Sequence, residues 1–210
     1  MCSIIGSFDP GILRELISRN QHRGNFSWSC SILSPTGVVT QKAFGDLPPK
    51  ALPTEPGPYC LCHVQAPTGG LISDTARIHP IAYADSLLWH NGIITNNGIG
   101  FLQQTTNSTE TFDTFLLAKA LALHGHAILS EVEGLFACVW RTNSGKFQLF
   151  RSKHAKLYVD SNLSISSERF VGSKCINSDV IYEIEWESRT LRPIGDFKTK
   201  QYNFIIKGEM

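Results

Sequence analysis

A chain of 210 residues, 42% hydrophobic and 18% charged, is long enough for one domain with a real core and too apolar for disorder. Its 19 basic and 18 acidic residues leave a formal net charge of +1 and form no run, so there is no electrostatic footprint for nucleic acid or an anionic membrane. No apolar stretch approaches the ~20 residues that cross a bilayer, and the N-terminus lacks the basic and long apolar regions of a signal peptide, so the expected location is cytoplasmic.

In chain order, Ser3 to Phe8 is short and apolar and runs into Asp9-Pro10-Gly11, which predicts a strand and a turn. Ile12, Leu13, Leu16 and Ile17 recur at helical spacing up to Asn20. After the polar segment 21–26, Trp28 to Leu33 and Gly37 to Ala43 read as a hairpin. Leu47 to Pro58 holds five prolines in twelve residues and reads as loop. Tyr59 to Gln65 and Tyr83 to His90 read as strands, the second running into the turn dipeptide Asn91-Gly92. The polar segment 96–111 reads as loop with a short turn of helix. Phe112, Phe115, Leu116, Ala120 and Leu123 mark a helix closing at His124-Gly125. Phe136 to Arg141 and Lys146 to Arg151 form a second hairpin. Short strands follow at 157–160, 163–166, 180–186 and 202–206. Many strands and about two long helices without strict alternation point to layered antiparallel sheets with helices outside, an α+β fold.

The six cysteines, Cys2, Cys30, Cys60, Cys62, Cys138 and Cys175, form no disulfide framework in a chain of this class. Cys60 and Cys62 share one face of their strand and His63 the other. A metal site there would need a second pair of ligands, so none is expected. The seven histidines have no ligand spacing, and the common phosphate-loop, zinc-helix and serine-elbow motifs are absent.

The chemistry instead concentrates at the start. Cys2 follows the initiator methionine, and its small side chain permits trimming of Met1. The product carries a thiol and a free α-amine on one residue. Their reference pKa values, ~8.5 and ~8, lie close enough for the amine to take the thiol proton and later return it to a leaving group. Four further stretches stand out beside it: Arg23-Gly24, the segment from Cys62 to Gly70, Trp89-His-Asn-Gly92, and Asp113-Thr114 at a helix start.

Taken in order, Cys2-Ser-Ile-Ile-Gly6, His22-Arg-Gly-Asn25, His79-Pro80, His90-Asn-Gly-Ile-Ile-Thr-Asn96 and Phe112-Asp-Thr114 resemble a class II glutamine amidotransferase domain, a branch of the N-terminal nucleophile hydrolases. The resemblance is clearest over residues 2–160 of a single domain spanning 1–210. It implies a four-layer αββα sandwich of two mainly antiparallel sheets with Cys2 at the start of a central strand. The implied activity is hydrolysis of the glutamine side-chain amide to glutamate and ammonia through a thioester on Cys2, without a cofactor. The implied partners are glutamine or a similar small amide and a separate ammonia-accepting synthase, since no synthase domain fits within the chain. Oligomeric state is not implied.

By the same resemblance, Asn91 and Gly92 supply the oxyanion donors, Arg23 favours the thiolate, Asp113 holds the substrate α-ammonium and Thr68 is a polar contact. Each has an ordinary alternative: a hairpin turn for Asn91-Gly92, a helix-dipole acid for Asp113, a surface turn for Arg23. His63, His79 and His90 read as structural. The sequence departs from the family at Gln65, which stands where an arginine normally grips the α-carboxylate. A neutral amide is no equivalent for a bidentate guanidinium. Either another cation such as Arg77 replaces it, or the substrate is another amide, or the fold serves only for binding.

Overall fold

The computed structural model describes residues 2–34, 37–66 and 74–200. The chain enters as strand β1 (Ser3–Ser7), whose residues are all buried, and turns at Asp9 into helix α1 (Pro10–Asn20). The helix starts there because the Asp9 carboxylate accepts from the N–H groups of Gly11 at 2.7 Å and Ile12 at 3.0 Å, with Pro10 in the first turn. Strands β2 (Ser27–Ser34) and β3 (Gly37–Phe44) pair along their whole length, from Ser27 opposite Phe44 to Ser34 opposite Gly37. Strand β4 (Tyr59–Gln65) then inserts between β1 and β2.

The second sheet begins with β5 (Ile81–Tyr83) and β6 (Ser86–Ile94). Helices α2 (Asn96–Thr106) and α3 (Asp113–His124) follow, then β7 (Gly134–Arg141) and β8 (Phe147–Arg151). The chain returns to the first sheet with β9 (Tyr158–Val159), β10 (Ile165–Ser166) and β11 (Lys174–Cys175). It ends in the second with β12 (Val180–Glu185) and β13 (Thr190–Asp196). Among the described residues the strand orders are β11-β9-β10-β1-β4-β2-β3 and β13-β12-β8-β7-β6-β5, and every pairing is antiparallel.

Three apolar clusters separate four layers. Leu13, Leu16 and Ile17 of α1 pack with Cys30, Cys60, Cys62 and Val64 on the outer face of the first sheet. Ile4, Tyr59 and Leu61 meet Trp89, Ala137, Val139 and Leu149 between the sheets. Leu102 of α2 and Leu116, Leu117 and Leu121 of α3 cover the outer face of the second sheet. The αββα sandwich implied by the resemblance is therefore the observed architecture, with β1 central in its sheet.

The structure corrects several expectations. Segment 96–111 holds an eleven-residue helix, α2, which makes three helices of ten or more residues among the described residues instead of about two. Its sequence is polar because only the stripe Gly98, Leu102, Thr106 is buried. Thr95 caps its start by accepting from Gly98 N at 3.2 Å, and Asn107 closes it in the left-handed region at φ 47°. Asn91-Gly92 is no turn: β6 runs straight through it, paired with β7 from Leu87 opposite Arg141 to Ile94 opposite Gly134. A long ladder outweighs a dipeptide's turn preference, and glycine is required at 92, where a Cβ would lie 1.9 Å from Leu135 O. Strands β11 and β13 were not expected. The strand expected at 202–206 lies outside the described residues.

Candidate active site

The register places the site. Ser3 pairs with Val64 and Ile4 with His63, so one residue earlier Cys2 comes opposite Gln65. Alternation then puts Cys2 and Gln65 on the face shared by Ile4, which looks between the sheets. The Cys2 Sγ lies 3.5 Å from Ala66 O and is partly exposed, whereas Cys30, Cys60, Cys62 and Cys138 are buried. Burial pushes the Cys2 thiol above its ordinary pKa; the Asp113 carboxylate adds to this, and Arg23 acts against it.

Arg23 and Gly24 form the wall beside Cys2. The Arg23 Nε donates to Cys2 O at 3.1 Å, and its Nη1 pairs with Glu168. Gly24 sits against the β4 end so closely that a Cβ would lie 2.6 Å from Gln65 C and 2.9 Å from Ala66 N. Phe26 N donates to Gln65 O at 3.1 Å and extends the same contact. Arg23 thus contacts Cys2 through its backbone carbonyl.

Asn91 projects from β6 toward the first sheet, and its Nδ2 donates to Ser167 Oγ at 3.0 Å. The same hydroxyl oxygen accepts from Ile4 N at 3.0 Å, and Ser167 N donates to Ile4 O at 3.0 Å. Ser167 therefore clamps β1 and Asn91 together across the two sheets. One N–H of the Asn91 amide is committed to this contact. On the outer side, Asn20 accepts from Ser3 Oγ and donates to Ser166 Oγ at 2.9 Å and to Leu16 O at 2.7 Å. This buried network fixes β1 to α1 and β10, just after Cys2.

Asp113 opens α3 beside the end of β6. Its Oδ1 accepts from Thr114 N at 2.7 Å and Thr114 Oγ1 at 3.2 Å, and its Oδ2 from Ile94 N at 3.3 Å. Thr114 Oγ1 also contacts His90 Nδ1 at 3.0 Å and His79 Nε2 at 3.2 Å. The hydroxyl has one proton and gives it to Asp113, so both ring nitrogens facing it carry theirs. His63 stacks near His79 with centroids 4.1 Å apart and reaches His90 O at 3.0 Å. Burial pushes all three histidines below the ordinary range, His63 to about 3, so they are neutral. The histidines read as structural from the sequence form one connected layer behind Asn91 and Asp113.

Gln65 is buried, and its Oε1 accepts from Ser27 Oγ at 3.0 Å. Arg77 lies beside the Asp113 helix start, over the Phe112 ring at 5.4 Å, and faces Glu110 at 3.4 Å. Thr68 lies outside the described residues. Among the sequence-predicted residues, the structure thus brings Cys2, Gln65, Arg23, Asn91, Gly92 and Asp113 to one end of the sandwich. Sequence reasoning missed Ser167, Glu168 and Asn20. The Ser167 to Ile4 contact spans 163 residues, and no local pattern announces it.

The cysteines away from the site also converge. Cys30 Sγ is 3.2 Å from Cys60 Sγ, Cys60 Sγ is 3.9 Å from Cys62 Sγ, and the three sulfurs lie within 4.8 Å of one another. They sit in the apolar layer under α1, and among the described residues no histidine or carboxylate joins them.

No family model matches the chain, and no curated protein matches it by sequence. Solved structures do match. The glutamine phosphoribosylpyrophosphate amidotransferase of B. subtilis, complexed with ADP and GMP, superposes with a TM-score of 0.67 at 16% identity. A structure described as the allosteric regulatory enzyme of purine biosynthesis superposes with 0.66 at 17%. Each match covers 92% of this chain and 49% of the other, so the chain spans about half the length of these enzymes. At this identity the likeness establishes the architecture: the chain has the N-terminal nucleophile hydrolase fold.

Proposed function

We propose that the protein is an amide hydrolase of the class II glutamine amidotransferase type. It cleaves a γ-carboxamide to the γ-carboxylate and ammonia, with Cys2 as nucleophile once Met1 is removed. The observation that carries this reading is the juxtaposition at β1. A partly exposed cysteine directly precedes the central strand β1, one step beyond the Ser3–Val64 pair and so level with Gln65, and Ser167 ties Asn91 to Ile4 of that strand.

The steps follow from these positions. The Cys2 α-amine takes the thiol proton, and Sγ attacks the amide carbon. The carbonyl oxygen becomes an oxyanion, met by the second N–H of the Asn91 amide and the Gly92 N–H. Collapse breaks the C–N bond, and the α-ammonium returns its proton to the departing ammonia. Water then adds to the thioester with the amine again as base, and the γ-carboxylate and thiol are released. Asp113 holds the substrate α-ammonium, with carboxylate lone pairs left over from its three protein donors. Arg23 fixes the Cys2 carbonyl and so the strand end.

The ammonia goes to a separate synthase partner. Six free thiols, three of them packed together, suit a reducing compartment, and we place the protein in the cytoplasm. No described helix is long and apolar enough to cross a membrane. A coupled assay for ammonia and for the free γ-carboxylate tests the reading. The wild type should turn over γ-carboxamides and Cys2→Ala should not; equal rates would refute it.

A further inference from the structure

The three cysteines under α1 are brought together by register. Cys30 of β2 pairs directly with Cys62 of β4, and Cys60 lies two residues before Cys62, on the same outer face. Their sulfurs lie within 4.8 Å of one another, Cys30 to Cys60 at 3.2 Å and Cys60 to Cys62 at 3.9 Å. All three side chains are buried, in one cluster with Leu13, Leu16 and Ile17 of α1. In the sequence Cys60 and Cys62 are a pair without partners, too few for a site; β2 supplies the third sulfur. The amidase chemistry lies on the opposite face of the sheet and makes no use of them.

An ion in the plane of three sulfurs, at a metal–sulfur distance of ~2.3 Å, holds them about 4 Å apart. The sulfur separations here lie within about 1 Å of that, so seating an ion takes side-chain adjustment and leaves the strands paired. Sulfur donors select soft metals: copper(I), zinc and iron–sulfur clusters. Zinc and iron–sulfur sites take four protein ligands, and among the described residues no histidine, carboxylate or further cysteine joins the trio. Copper(I) is satisfied by three sulfurs. Its single charge also suits an apolar layer: binding exchanges one thiol proton for the ion, the other two sulfurs donate lone pairs, and the site stays neutral.

We propose that Cys30, Cys60 and Cys62 form a three-sulfur site for a soft monovalent cation of the copper(I) class. The ion approaches from a cavity of about 240 Å³ at the edge of the same layer, since Ile17, Leu52 and Val64 belong both to the cavity wall and to the cysteine cluster. Bound there, it ties β2 to β4, the strand that ends at Gln65, level with Cys2. The site does not depend on the amidase reading.

The test titrates the reduced whole chain with copper(I), and with silver(I) as a redox-inert probe, against a competing chelator in the absence of oxygen. The chain carries Cys2→Ala and Cys175→Ala, so the two partly exposed thiols take no ion. It should bind one ion, develop a sulfur-to-metal charge-transfer band, release one proton and unfold at higher urea concentration when loaded. X-ray absorption at the copper edge should show three sulfur neighbours at ~2.3 Å. Cys60→Ala should weaken binding by about a hundredfold or more, and Cys138→Ala, a buried thiol in another layer, should leave it unchanged. Urea unfolding of the metal-free variants shows which of them fold, and Cys30→Ala, which removes a different ligand, stands in for Cys60→Ala if that one does not. Failure of the parent chain to bind either ion overturns the proposal. So does affinity that survives loss of a trio cysteine, or tighter retention of zinc(II) than of copper(I).

Discussion

Replacing Ser167 with alanine removes one oxygen that serves two donors. Ile4 N is fully buried and loses its acceptor, and one N–H of the buried Asn91 amide does the same. Each unsatisfied buried donor costs about 1–3 kcal/mol. Ser167 N still donates to Ile4 O, so the strand pairing survives and the loss should stay near the lower end for the pair. With an m-value of about 2 kcal/mol/M, the urea midpoint should fall by roughly 1–1.5 M. The catalytic effect is separate. Without Ser167 the Asn91 amide loses its orientation, and kcat should fall by about tenfold or more, below the ~10²–10³ ceiling for deleting an oxyanion donor outright. KM should change little, because the interaction lost belongs to the transition state. The assay is ammonia release together with urea unfolding, on Ser167→Ala, Asn91→Ala and the double variant. The double variant should be scarcely slower than Asn91→Ala. A stability loss with unchanged kcat, or fully additive rate effects, would refute the idea that Ser167 acts through Asn91.

Other perturbations read the surrounding frame. Gly24→Ala puts a Cβ against the Gln65–Ala66 backbone and should cost about 1–3 kcal/mol by overpacking and also slow turnover, read by thermal unfolding and steady-state kinetics; a neutral result would contradict the tight approach. The three neutral histidines make stability depend on pH. Their folded pKa values lie below the unfolded value of ~6.5, so the unfolded chain binds more protons below that pH, and stability is complete above it and lost as pH falls toward about 3 for His63. The unfolding free energy from urea titration should drop steadily from pH 6.5 to 5, by up to about 1.4 kcal/mol per pH unit for each histidine; a flat profile would mean they are charged in the folded state. Asn20→Ala strips β1 of its buried tie to α1 and β10 and should destabilise the fold by about 1–3 kcal/mol in chemical denaturation, unlike a change at exposed Arg19.

The parts of this fold legible in the sequence were those set by local period. Tyr59–Gln65 reads as a strand and is one, and Ile12 to Ile17 show the buried stripe of α1. The polar helix α2 was hidden, because only every fourth residue is buried and because Thr105 and Thr106 turn their hydroxyls back to Phe101 O and Leu102 O. Strand β13 was hidden for a related reason: it is an edge strand with mostly exposed residues, including a proline and a glycine. At the site, residues carried by short motifs could be named in advance. Those that act by closing long loops could not, and Ser167, Glu168 and the thiol of Cys30 beside Cys60 belong to that group. Gln65 was visible as a departure, but only the register shows that it lies across from Cys2.

The central claim, that the chain is organised to present Cys2 as an N-terminal nucleophile, is tested most directly by intact mass and peptide mapping after treatment with an electrophilic γ-glutamyl analogue. The account predicts a chain lacking Met1 with a single adduct on Cys2, and none on the similarly half-exposed Cys175. A retained Met1, or an adduct on Cys175 with Cys2 untouched, would contradict it.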